Sequence, residues 1–144
     1  MRKLALGVFL ILVAGACASV KPMPIRTGEL CFRCRRPILE TRLAAQTIGG
    51  GLASNFRAPG CLAKYLADHP GDHSTMFVTD FASGRMIQAE AAVYVPTVDR
   101  DNGERDYIAF SDRTTAQSEA TARSTSLVSW DAVLEQARQA QRGN

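Results

Sequence analysis

Four cysteines carry the chemistry open to this sequence: Cys17, Cys31, Cys34 and Cys61. Cys31-x-x-Cys34 is a spacing that brings two sulfurs within reach of one metal ion or of each other. Thiolate is the form that binds metal and attacks disulfides, and its pKa falls beside cations and at helix N-termini. Arg33, Arg35 and Arg36 neighbour the pair, and Cys61 stands at the expected start of a helix. All three sulfurs should therefore ionise more readily than an ordinary thiol. Soft thiolates favour cuprous copper or zinc over hard cations, and Cys31, Cys34 and Cys61 together would satisfy the former, whereas zinc wants a fourth ligand that the sequence does not make obvious.

Two other outcomes stand beside metal binding. Cys31 and Cys34 can close as a short disulfide at the entrance of the domain, with Cys61 as a buried core thiol, since oxidation is the default in an exported protein. The pair can also serve thiol-disulfide exchange, with Cys31 attacking and Cys34 resolving. Against that, Cys31-Phe32-Arg33-Cys34 does not open an amphipathic helix after a strand, as thioredoxin-like sites do.

The compartment follows from the leader. Met1-Arg2-Lys3 is a short positive segment and residues 4–13 are apolar over the length a signal peptide uses, too short to span a bilayer as an ordinary helix. Residues 1–16 are thus expected to be a signal peptide. Ala14-Gly15-Ala16-Cys17 places small residues before a cysteine, the arrangement bacterial lipoproteins use to attach a diacylglyceryl group to the thiol; an ordinary signal peptidase could also cut here. The expected location is the periplasmic side of a membrane in the cell envelope through a lipid on Cys17, or the secreted fraction if Cys17 is not lipidated. Cys31, Cys34 and Cys61 then remain, an odd number that cannot all pair internally.

Without the leader about 128 residues are left, one compact domain's worth. The formal net charge of +3 loses two units with Arg2 and Lys3 and stands at +1, and no basic stripe is present, which argues against nucleic acid as a partner. Membrane contact would run through the N-terminus alone. Residues 17–29, with Pro22, Pro24 and Gly28 and no apolar periodicity, read as a tether, and the folded domain as 30–144.

The elements that must position the sulfurs come next. Residues 42–47 and 52–56 read as strands joined by Gly49-Gly50-Gly51, Pro59-Gly60 as a strand stop, and 61–69 as a helix with Leu62, Tyr65 and Leu66 on one face. Residues 76–79 are a strand, and 80–85 a turn into Met86-Ile87. The order then recurs: strands at 92–95 and 107–110 around the polar loop 99–103, a helix over 113–122 capped by Ser111 or Asp112, and a strand at 126–128. A last helix opens at Ser129 or Asp131 and runs through Ala140. The fold class is α+β: two ββαβ-type repeats, about 30–88 and 89–128, with small antiparallel sheets, plus a C-terminal helix.

Other donors read blandly. His69 and His73 flank Pro70-Gly71-Asp72, a polar loop that normally holds solvated histidines, and Met76 and Met86 read as gap-fillers on strands. Met23 lies in the tether and could swing toward a metal. Asp80 and Glu90 read as turn or edge residues, Trp130 as packing for the last helix, and 99–106 as a solvated hairpin tip without calcium-loop spacing.

Laid end to end, these residues resemble a family. Cys31-x-x-Cys34 with Pro37-Ile38, Arg42-Leu43-Ala44-Ala45, Phe56, Gly60-Cys61-Leu62, Tyr65-Leu66, Val78-Thr79-Asp80-Phe81, Gly84, Ile87-Gln88-Ala89, Tyr94-Val95, Ala109-Phe110 and Trp130-Asp131 form a succession similar to the NosL-type lipoproteins, accessory copper proteins of nitrous oxide reductase assembly. The resemblance implies a fold of two ββαβ-type repeats, shared with organomercurial lyase, and a non-enzymatic role in holding a thiophilic metal, usually cuprous copper, for a recipient metalloprotein. Two positions depart from it. A Met common two residues after the second cysteine is Arg36 here, and a second Met falls in 102–106, which contains none. Organomercurial-lyase-like catalysis would rest on fold analogy alone.

Overall fold

The computed structural model describes residues 19–143. The leader and Cys17 lie outside the described residues. Six strands and three helices follow in the order β1 (Ala45–Gly49), β2 (Leu52–Phe56), α1 (Pro59–Asp68), β3 (Thr75–Thr79), β4 (Met86–Gln88), β5 (Val93–Val98), β6 (Arg105–Phe110), α2 (Arg113–Ala122) and α3 (Trp130–Arg142). Strands β2-β1-β3-β4 form one antiparallel sheet, and β5 and β6 pair antiparallel in another. The architecture is α+β, with two small antiparallel sheets and a C-terminal helix.

The first hairpin is tighter than the three-glycine reading suggests. Gly49 pairs with Leu52 inside the ladder, leaving Gly50 and Gly51 as a two-residue turn with φ of 57° and 78°. Positive φ at both turn positions matches the right-handed twist of the flanking strands, and glycine meets it without strain. Residues 41–43 are a 3-10 turn, so β1 begins at Ala45. Arg42 is drawn out of the strand by its guanidinium, which donates to the Phe81 and Ala82 carbonyls at 2.7 and 3.0 Å.

Pro59-Gly60, expected to end a strand, instead opens α1. Proline fits the first helical position because the N–H it lacks would be unpaired there anyway. Cys61 therefore sits in the first turn. In the second half the expected strand at 126–128 shrinks to one bridge, in which Tyr94 and Val128 exchange backbone bonds of 3.0 and 2.9 Å.

The β5–β6 hairpin is a middle layer. Tyr94, Tyr107 and Ala109 face the main core, built with α1, α3 and the four-stranded sheet; Val95, Ile108 and Phe110 face a smaller core under α2. A sheet buried on both faces reads as a continuous apolar run, as Tyr107–Phe110 does. Trp130, 2 % exposed, opens α3 and packs over Tyr94 with ring centroids 5.5 Å apart.

The segment read as a tether is held from Met23 onward. Gln46 is fully buried; its side chain accepts from Met23 N at 2.8 Å and donates to Met23 O at 3.0 Å, copying a strand partner. Met23 thus cannot swing freely, and with Met86 it lines a separate cavity that holds none of the cysteines. No helix among the described residues is long and apolar enough to cross a membrane.

Candidate metal centre

Cys31 and Cys34 lie in a closed backbone knuckle. Gly28 N donates to Ile38 O at 2.8 Å, Ile38 N to Glu29 O at 2.7 Å and Cys31 N to Arg36 O at 2.9 Å, while Leu30 and Pro37 form a bridge. The chain turns through Arg35, whose φ of 60° is uncommon for a residue with a side chain, and Arg35 N donates to Cys31 O at 3.0 Å. The knuckle is docked by Phe32: its N–H donates to Asn55 O of β2 at 2.7 Å, and its ring meets Phe56 and Tyr65 edge-on at 6.1 and 5.6 Å.

The third sulfur arrives from α1. Cys31, Cys34 and Cys61 bring their Sγ atoms within 4.8 Å of one another, with 4.0 Å between Cys34 and Cys61. All three thiols are free, and Cys61 lies with Cys31 and Cys34 in one group. Cys31 is fully buried, Cys61 is 8 % exposed, and Cys34 alone is half-open. An attacking role on an outside disulfide would consequently fall to Cys34, not Cys31.

Hydrogen bonding favours the charged form of Cys31. The Cys61 thiol donates to Cys34 at 4.0 Å; beside Cys31, the Cys61 thiol and the backbone N–H groups of Cys34 and Arg57 draw the Cys31 pKa down to about 4 against the cost of burial. Cys61 is pushed up, first by Cys31 beside it and then by burial. Arg36 lies against the Cys34 sulfur, which raises the guanidinium pKa, helped by Asp99.

Cys34 and Cys61 open on a cavity of about 280 Å³. Its far wall is the β5–β6 hairpin tip, read from sequence as solvated. Asp99 accepts from Arg36 at 2.8 Å and Arg57 at 2.6 Å, and Asp101 from Arg57 at 2.8 Å and Arg36 at 3.3 Å, so two arginines beside the knuckle clasp the tip. Asn102, Glu104, Arg105 and Asp106 complete the wall.

Asp106 links that wall to the third cysteine. Ala58 offers α1 no side-chain cap; instead Asp106 Oδ1, from β6, accepts from Gly60 N at 2.9 Å and Tyr107 N at 2.8 Å. Burial pushes the Asp106 pKa up in spite of these bonds. Gly60 is required by the close approach, since a Cβ there would stand 2.6 Å from Asp106 Oδ1.

The remaining candidates stay apart. His69 stacks on Tyr65 with centroids 4.3 Å apart, and neither it nor His73 belongs to the thiol group. Met76 packs against the core. Asp80 is buried in a turn, bonded to Ser83 and Ser111 N, and Glu90 is exposed in a 3-10 turn. Among the described residues no His, Asp or Glu joins the three cysteines as a fourth ligand. Arg57, Asp99 and Asp106 were invisible from sequence: an arginine at a strand end and acids in a charged hairpin carry no motif.

No family model matches the chain, and no curated protein matches it by sequence. Among solved structures it is similar to the crystal structure of the copper chaperone NosL from Shewanella denitrificans, with a TM-score of 0.64 and 18 % identity over 77 % of this chain and 93 % of that one. The likeness is one of fold.

Proposed function

We propose that this chain is a non-enzymatic carrier of one cuprous ion, held by Cys31, Cys34 and Cys61 and passed to a recipient metalloprotein. The observation that carries the reading is the convergence of three sulfurs within 4.8 Å at the end of an open cavity. Three thiolates suit the low coordination number of a soft monovalent ion, and zinc would need a fourth donor from solvent. A half-open sulfur backed by two buried ones suits delivery, because exchange can begin at Cys34 while the others keep hold. The fold shared with a copper chaperone supports the same conclusion. We place the protein on the periplasmic side of a membrane in the cell envelope, anchored by lipid on Cys17, or secreted if that thiol is not modified.

Anaerobic titration of the reduced domain, read by native mass spectrometry, tests the reading. About one cuprous equivalent should bind tightly, and the Cys31→Ser/Cys34→Ser/Cys61→Ser variant should bind none. Uptake by that variant, or none by the reduced wild type, would overturn it.

The 4.0 Å between Cys34 and Cys61, with Cys61 in the first turn of a helix, favours thiol-disulfide exchange as a second reading. Insulin reduction separates the two: catalysis lost in Cys34→Ser and Cys61→Ser would favour exchange.

A further inference from the structure

The cysteine cavity does not end at the thiols. Arg33, Lys64, Glu104 and Arg105 line both it and a second cavity of about 430 Å³, which continues between α1 and α3. That volume is within the usual range of small-ligand sites, about 300–1,000 Å³. Gly60, Ala63, Ala137 and Ala140 keep its floor low, and Gln136 and Gln141 supply amide groups along it.

The charge of this groove is one-sided. Three cations line it against one carboxylate, Glu104. Arg33 is paired with Asp68 and Lys64 with Glu104, whereas Arg105 donates to the neutral Gln136 Oε1 at 3.0 Å and makes no ion pair among the described residues. A guanidinium held by a neutral amide is ready to take a carboxylate, its best partner. At the inner end of the same path stands Cys34, the sulfur open to solvent.

We propose that the α1–α3 groove holds the organic part of an anionic, thiol-bearing small molecule of about tripeptide size, and that this molecule delivers the metal ion to Cys34. The inference rests on the cuprous reading of the thiol site. Delivery is ligand exchange with no change of oxidation state. The bond from copper to the carrier sulfur breaks as the bond to Cys34 Sγ forms. The Cys34 proton passes to the departing carrier thiolate, which leaves as the thiol, and the proton that Cys61 gives up when it binds in turn passes to solvent.

Gln136 offers a test at a residue that lines the α1–α3 groove and not the cysteine cavity. Gln136→Glu sets a carboxylate against Arg105 and removes its free charge with almost no change of shape; Gln136→Lys adds a cation. Cuprous ion would be offered as its glutathione complex, its 2-mercaptoethanol complex and its acetonitrile complex, with uptake followed by the ultraviolet copper–thiolate absorption. Gln136→Glu should slow transfer from the glutathione complex about fivefold and Gln136→Lys should speed it about twofold, the scale of a single exposed charge pair. Transfer from the two donors whose ligands carry no carboxylate should be unchanged in both. Equal rates from glutathione in all three proteins, or the same shift with every donor, would overturn this inference and leave copper binding standing. Failure of the wild type to take copper from any donor would overturn both.

Discussion

Helices α1 and α2 hold corresponding places in the two halves, each following a hairpin and each ten residues long, yet they are begun in opposite ways. In α2 the cap is local: Asp112 accepts from Thr115 N and Thr115 Oγ1, both at 2.7 Å. In α1 the cap is borrowed from the other half, as Asp106 reaches Gly60 N from β6. The helix that carries a thiol is the one whose start depends on distant packing. The first turn that holds Cys61 therefore leans on β6, and the self-capped helix carries none of the three thiols.

The sharpest break of this contrast is at the second helical residue. Gly60→Ala should gain about 1 kcal/mol in helix propensity and lose about 3 kcal/mol to overlap with Asp106. Urea unfolding should show the net loss, with metal affinity weakened about tenfold as Cys61 is displaced. The counterpart Thr114→Ala in α2 should stay within about 0.5 kcal/mol. Equal effects would remove the distinction.

Next in size is the cap itself. Asp106→Ala leaves the buried Gly60 and Tyr107 N–H groups unpaired and should cost about 1.5 kcal/mol, again with weaker metal binding. Asp112→Ala should cost less and leave metal affinity unchanged. Competition titration beside the unfolding curve reads both quantities, and metal affinity lost in Asp112→Ala would contradict the comparison.

A smaller difference is expected between ion pairs. Arg57–Asp99, with side chains 19 % and 9 % exposed, ties the hairpin tip to the knuckle, whereas Arg123–Glu119, 40 % and 33 % exposed, lies along α2. Double-mutant cycles should give about 1 kcal/mol for the first and about 0.3 kcal/mol for the second. A coupling near zero for Arg57–Asp99 would mean that the tip is not clasped.

The smallest effect is in pH dependence, where the two caps have opposite signs. Burial raises the Asp106 pKa above its ordinary 3.8, so the folded protein keeps a proton that the unfolded chain has lost. Stability from this group is full below 3.8 and falls as pH rises toward the raised folded value. The bond from Thr115 lowers the Asp112 pKa, so its contribution is present above 3.8 and is lost as pH falls through the folded value. Denaturant midpoints across acid pH should lose the descending component in Asp106→Asn and the ascending one in Asp112→Asn. An unchanged profile in Asp106→Asn would show that the carboxyl is not protonated by burial.

Much of the scaffold was legible because its signals are local. The turn at Gly50-Gly51, the face of Leu62, Tyr65 and Leu66, and the cap at Asp112 each depend on residues a few positions apart. The misreadings came where one residue type serves two ends: Pro59 stops strands and starts helices, and only the packing of α1 against β6 chose the latter. Residues 17–29 look like a linker by composition, yet Gln46 holds Met23 through bonds that no spacing rule announces.

The spacing of Cys31 and Cys34 was settled by the sequence itself, since two residues between cysteines place both sulfurs on one turn of backbone wherever that turn is put. Bringing Cys61 to them, covering them with the 99–106 tip, leaving Cys34 open and aiming Asp106 at Gly60 belonged to the tertiary structure. Such contacts join residues tens of positions apart, and only the packed core, by shutting water out and fixing distances, makes one geometry lower in free energy than the rest.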